Sequence, residues 1–227
     1  MDRRGLTQAD EICLSQEFEV LRAWSHPNII KAFDMFVSDQ HIATVLDSCD
    51  GGNLMQRLVL TQPHLNELIV RDVIWKLLEI VRFIHEQDIL HRDIKFINIV
   101  YSNATDDLVE GLKLSGLHPY SMFLVLFHRK LFCFTFYLLG FMHVAEASAF
   151  TVTEKCGTLG FIAPEVAEGK PYGKPVDLWA VGVVLYTMLG GSLPFQDEDE
   201  QKLLTKIKVL LERISSHLYL TIKVMYL

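Results

Sequence analysis

The sequence predicts an α+β chain in which a short β-rich part precedes a larger, mainly α-helical part. Three observations carry this. Residues 29–36 and 41–46 read as two short strands around the polar turn "VSDQ", Val37 to Gln40. From Asn66 onward, apolar residues recur every three to four positions, the spacing of an amphipathic helix. Finally "DLWAVGVVLYTML", Asp177 to Leu189, is apolar nearly all round, which marks a buried helix.

Taken in order, Glu17 to Trp24 places Phe18, Leu21 and Trp24 at helical spacing, and Pro27 predicts that this helix stops near Ser25. After the strand pair, "CDGGNL" breaks the pattern, with Gly51 and Gly52 forming a turn. Asn66 can cap the long helix, whose core positions are Val70, Val73, Ile74, Leu77, Val81 and Ile84. "NIVYS" and "GLKLS" then read as strands joined by the polar "NATDDLVE". Residues 116–139 are apolar and aromatic but show neither alternation nor a helical stripe. His128, Arg129 and Lys130 split them into runs shorter than the about 20 residues of a membrane span, so no membrane is expected. "APEV" and "GKPYGKPVD" are loop-rich, Gly190 and Gly191 can end the buried helix, and "DEDE", Asp197 to Glu200, reads as a solvated helix start.

Composition narrows the function classes. Of 227 residues, 50% are apolar, enough for a packed core. A net charge of -7 argues against a broad footprint for nucleic acid or anionic lipid and favours protein or nucleotide partners. Cys13, Cys49, Cys133 and Cys156 are widely spaced, without a metal or disulfide pattern, and "MDRRGLTQADEIC" lacks the apolar run of a secretory signal. Free thiols and a cytoplasmic or nuclear location are the expectation.

"HRDIKFIN", residues 91–98, resembles the catalytic loop of the eukaryotic protein kinases, H-R-D-L-x-x-x-N, with Ile94 in place of leucine. "CGTLGFIAPEV" resembles the end of their activation segment, "DLWAVG" the start of the large helix that follows, "EFEVLRAWSHPNIIKAFDMF" their regulatory helix and next strand, and "HIATVLDSCDGGNL" the hinge. The order is that of the family, and the details of "CDGGNLMQRLV" look most like its calcium/calmodulin-dependent serine/threonine members. The resemblance implies a protein kinase-like fold. Residues 1–49 would form a partial, truncated small β-rich lobe, and 50–227 a mainly α-helical large lobe with an atypical insertion at 116–139 and a truncated end.

The same resemblance implies ATP and Mg2+ as cofactors, a protein substrate or docking partner, and a set of roles. Phosphoryl transfer depends on positioning and on neutralising charge. Asp93 would orient the substrate hydroxyl and accept its proton, Lys95 would face the transferred phosphate, and Asn98 would ligate magnesium. Lys95 together with Gly157 and Thr158 resembles the serine/threonine type. Leu46, Asp47 and Cys49 would line the nucleotide site at the hinge, with Asn53 where many kinases place an acid for the ribose. His91 would pack and hydrogen-bond within the loop, Arg92 would pair with a phosphate on Thr151 or Thr153, Glu17 would be the regulatory-helix glutamate, Asp177 a structural residue, and Glu165 would be buried beside an arginine.

The departures are as informative. No glycine-rich loop precedes Glu17, and the first lysine is Lys31. The D-F-G acid that holds metal is missing after "LKLS". Either Gly116 is that motif's glycine, or Gly140 is, with Leu138 and Leu139 in the other two places; the second leaves an activation segment of ordinary length and is preferred. Asp106, Asp107 and Glu110 sit at the wrong end of the strand, and Arg213 is the one arginine after Glu165. Transfer is therefore expected to be impaired or absent, with a pseudokinase, a protein-binding module or a fragmentary gene product as the competing readings.

Overall fold

In the computed structural model, which describes residues 2–61, 65–104, 107–116 and 157–214, the first helix, α1, spans Gln8–Ala23. It begins well before the expected Glu17 because its leading turns are polar and show no apolar stripe, while an Arg3 Nε to Glu11 Oε1 ion pair of 2.6 Å ties it to the residues before it. Phe18 and Leu21 bury, as their spacing requires. The insertion beyond Gly116, the Gly140 alignment and Thr151 and Thr153 lie outside the described residues, as do the side chains of Glu17 and Arg213.

β1 (Ala32–Val37) and β2 (Ile42–Leu46) pair antiparallel, with a bulge between Ala32 and Asp34. Ser38 closes the turn: its N–H donates to His41 O at 2.8 Å and its Oγ accepts from His41 N at 3.0 Å. Ile29 and Ile30, expected in this first strand, belong elsewhere. Ile29 forms a parallel bridge with Leu114, Ile30 N donates to Leu114 O at 3.1 Å, and Leu114 N donates to Asn28 O at 2.8 Å.

Leu114 lies in β4 (Leu112–Leu114), which pairs antiparallel with β3 (Ile99–Tyr101) in the register Ile99 to Leu114, Val100 to Lys113 and Tyr101 to Leu112. The far edge of β3 takes the segment 51–53: Gly51 N donates to Tyr101 O and Tyr101 N to Gly52 O, each at 3.0 Å, and Asn53 bridges Val100. Four backbone segments thus lie side by side, 51–53, β3, β4 and 28–30. The β1–β2 hairpin leaves this array at one edge and returns at the other. Gly52 makes the expected turn with φ of 70°, but Gly51 has a different reason: a Cβ there would run into Asn103 O.

α2 (Leu54–Thr61) and α3 (Glu67–Glu86) follow, the latter capped by Asn66 Oδ1 accepting from Leu68 N at 2.9 Å. α3 buries Val70, Val73, Ile74, Leu77, Ile80, Val81 and Ile84 as its periodicity demands. Its partner is α5 (Pro175–Gly190), which buries Ala180, Val181, Val184 and Met188 in the same core. That helix is not enclosed all round: Tyr186 and Leu189 are exposed, and Gly191 ends it in the left-handed conformation. In sequence, α4 (Pro164–Glu168), read as loop, precedes α5; proline at its first position and left-handed Gly169 after it bound a helix of barely one turn. α6 (Glu200–Ile214) starts inside "DEDE", where Asp199 Oδ1 accepts from Gln201 N at 2.8 Å. Among the described residues no helix is long and apolar enough to cross a membrane.

Candidate functional site

The loop His91–Asn98 joins α3 to β3, and a carboxylate from α5 holds its start. Asp177, 1% exposed, accepts from His91 N at 2.9 Å, from Arg92 N at 2.8 Å and lies 2.8 Å from His85 Nε2. Burial alone would raise this carboxyl; the His85 bond and charge and the Arg92 N–H outweigh it and hold the group below the usual carboxylate range. The grip is needed because Arg92 sits at φ of 67°, a left-handed conformation that costs free energy for a residue with a side chain.

That bend aims the two neighbours. His91 Nε2 lies 3.0 Å from Ser115 O and Nδ1 lies 3.3 Å from Asp93 N. A carbonyl accepts and an amide donates, so the ring carries its proton on Nε2 and accepts at Nδ1. Both ring nitrogens of His91 are thereby occupied, one within the loop and one at Ser115 after β4. Asp93, half-buried, gathers the remaining groups: Oδ2 meets Lys95 Nζ at 2.7 Å and Asn98 Nδ2 at 3.0 Å, and Oδ1 accepts from Thr158 Oγ1 at 2.8 Å. Lys95 Nζ also donates to Thr158 Oγ1 at 2.7 Å. Thr158 is brought to the loop from far along the chain. Gly157 permits this at φ of 110°, since a Cβ there would lie 2.8 Å from Arg92 O.

The structure therefore brings Asp93, Lys95, Asn98 and Thr158 into one cluster. Around an acid that could take a hydroxyl proton stand a cation and two neutral hydrogen-bonding side chains. On the other side of Asn98 lies Gly116, the first residue after β4 and Ser115. It has φ of 75°, and a Cβ there would lie 2.8 Å from Asn98 Nδ2. The residue packed against the Asn98 amide is thus a glycine.

The hinge residues are placed less simply. Leu46 ends β2 and is exposed. The Asp47 carboxylate accepts from Lys113 Nζ at 2.8 Å and Lys31 N at 3.1 Å; burial raises its pKa, and the Lys113 bond, the Lys31 N–H and the charges of both lysines together more than reverse the shift. Its side chain is committed to β4 and its N–H to Lys31 O at 2.9 Å, which leaves its carbonyl to meet a ligand. Burial pushes the half-buried Cys49 thiol up. Asn53 caps α2: Oδ1 accepts from Gln56 N at 3.0 Å while Gln56 Oε1 accepts from Asn53 N at 2.9 Å, so its amide group is what remains for a ribose. The N-x-x-Q spacing of a capping box was the signal for this, and for α2.

Glu165 departs from expectation. It is half-buried rather than buried, in the first turn of α4, where the helix N-terminus favours an acid. Arg92 is buried, with its guanidinium carbon 5.6 Å from the Tyr172 ring centre. Sequence reasoning missed Arg57 altogether.

A family profile described as "Protein kinase domain" matches residues 3–118 and 130–224. The chain belongs to the protein kinase family. Among relatives of this chain, calcium/calmodulin-dependent protein kinase type 1 of Macrobrachium nipponense is 32% identical over 207 residues, covering 91% of this chain and 52% of that protein. The type 1 enzyme of Caenorhabditis elegans is 33% identical with the same 91% of this chain and 51% of its own length, and type IV of Mus musculus is 33% identical over 189 residues, 83% of this chain and 35% of that one. The chain spans about half the length of the type 1 relatives.

The family's usual magnesium finds a poor match here. Such an ion takes several oxygen ligands in octahedral order. Asn98 turns Nδ2 to Asp93, which leaves one carboxamide oxygen, and Gly116 contributes no side chain. Among the described residues no group of acids, histidines and cysteines gathers to make up the difference. The described residues at this position do not fit the ion.

Proposed function

We propose that the chain is a kinase domain of the serine/threonine type, similar to the calcium/calmodulin-dependent group, whose phosphoryl transfer is impaired in the sequence as it stands. Residues 1–49 act as the small-lobe part and 50–227 as the large lobe. The observation that carries the first half is the Asp93 cluster. Its carboxylate, held by Lys95, Asn98 and Thr158 at 2.7 to 3.0 Å, is oriented to meet a serine or threonine hydroxyl and take its proton. Lys95 would stabilise charge on a transferred phosphoryl group. Leu46, Asp47 and Cys49 through the hinge main chain, with the Asn53 amide, would meet the base and ribose of ATP, and Arg92 would answer a phosphate on the activation segment.

Impairment follows from Gly116. Among the described residues the acid against Asn98 is Asp93 alone, so charge stabilisation at the transferring phosphate lacks its main anchor there, and such stabilisation is commonly the largest contribution to catalysis. The test is incubation of the purified chain with magnesium, labelled ATP and a generic protein substrate. We expect transfer no greater than that of Asp93→Asn. Robust transfer by the parent chain, abolished in Asp93→Asn, would show the site to be competent as it stands. The same glycine favours a second reading, a protein-docking module without transfer. That reading requires calorimetric binding of the protein substrate with parent-like affinity in Asp93→Asn, and fails if neither chain binds.

A further inference from the structure

Arg57, on α2, is 6% exposed and takes no part in the cluster around Asp93. Its guanidinium faces main-chain carbonyls: Nε donates to Gly51 O at 3.0 Å, Nη1 to Asp107 O at 2.6 Å, and Nη2 to Asn103 O. The guanidinium carbon stands 3.7 Å from the centre of the Tyr101 ring, whose hydroxyl donates to Leu108 O at 3.0 Å. These acceptors belong to separate pieces of chain: the hinge exit at Gly51, the end of β3 at Asn103, and the turn before β4 at Asp107.

We propose that Arg57 is a positioning residue for the nucleoside, one that fixes the hinge exit against the strand leaving the catalytic loop. The proposal rests on the reading of the hinge as the nucleotide site. Asn53 bridges Val100, and Val100 follows Asn98 by two residues, so the side that would face the ribose and the side that would face the phosphates share one short ladder. That ladder is only two hydrogen bonds long on its 51–53 edge, too few to set a spacing on their own. Arg57 spans it from behind. Its planar fork delivers donors in several fixed directions while its face lies on Tyr101, an arrangement a lysine ammonium cannot reproduce. Gly51 completes the device, because any larger residue would push the carbonyl of Asn103 and the guanidinium away.

The experiment compares the full chain with Arg57→Lys and Arg57→Met, the first retaining the charge in case the second folds poorly. Amide hydrogen exchange is followed at Gly51, Tyr101 and along α3, and adenosine binding is titrated without magnesium. We expect about tenfold faster exchange at Gly51 and Tyr101 with α3 unchanged, and adenosine bound about fivefold more weakly, the scale of one hydrogen bond. Faster exchange spread evenly over ladder and α3 would mean that Arg57 merely stabilises the fold, and would overturn the proposal. Undiminished adenosine binding in both variants would overturn it alone. A parent chain that binds no adenosine would overturn it together with the hinge reading.

Discussion

Tyr101, Leu112 and Leu114 on β3 and β4 are at most 2% exposed, whereas Phe33, Phe36 and Val37 on β1 are 51, 59 and 54% exposed. Both pairs of strands are made mostly of aromatic and aliphatic residues, and the longer pair is the exposed one. The β3–β4 pair belongs to the core shared with α3 and α5, while the hairpin takes its helical cover from α1. Burial is conferred by neighbours rather than by a strand's own composition. Only where it is conferred do polar groups acquire leverage, as Asp177 does beneath the His91–Asn98 loop.

Four measurements would break or sharpen this contrast. The largest effect is expected from Asp177→Ala, which strands two buried amides and His85: a loss of about 3–5 kcal/mol in urea unfolding. A loss below about 1 kcal/mol, the scale of an exposed pair, would mean that the loop is held by something else. Next, Leu77→Ala in α3 should cost about 2–5 kcal/mol, against under about 0.5 kcal/mol for Phe36→Ala on the hairpin. Equal costs would dissolve the contrast. Gly116→Ala, forced into a left-handed conformation against Asn98, should cost about 1–2 kcal/mol, and a neutral result would show that the backbone there turns freely.

The smallest effect, about 1 kcal/mol at neutral pH, is expected of Lys113→Met, which removes the partner of Asp47. Its pH dependence has a definite sign. The Asp47 carboxyl is depressed in the folded state, so its contribution is present above the ordinary carboxylate pKa of about 4 and fades as pH falls through the lower folded value. The stability gap between parent and Lys113→Met should therefore close on acidification below about pH 4. A gap that stays constant would show that the ion pair contributes nothing.

The His91–Asn98 loop was legible because its chemistry is written in consecutive residues, and α3 because its apolar period is long and regular. Ile29 and Ile30 were misassigned for a reason no local pattern could mend: they have strand composition, and their partner is Leu114, distant in sequence. Gly51 read as a turn, though its role is the close approach of two backbones. Thr158 and Asp177 were found only through family likeness, since nothing in their own neighbourhoods points to Asp93 or to the amides of His91 and Arg92. Arg57 gave no signal, because an arginine on a short helix is most often a solvated one.

The hairpin that leads into the hinge has both feet on the β3–β4 array, at 28–30 and at 51–53. It resembles a handle riveted at two points more than a flap on a single pivot. Rocking it as a whole would mean unzipping one foot, so a swing that opened the cleft would have to bend within residues 31–50, and a substitution that loosens either foot would be felt as slack at the hinge.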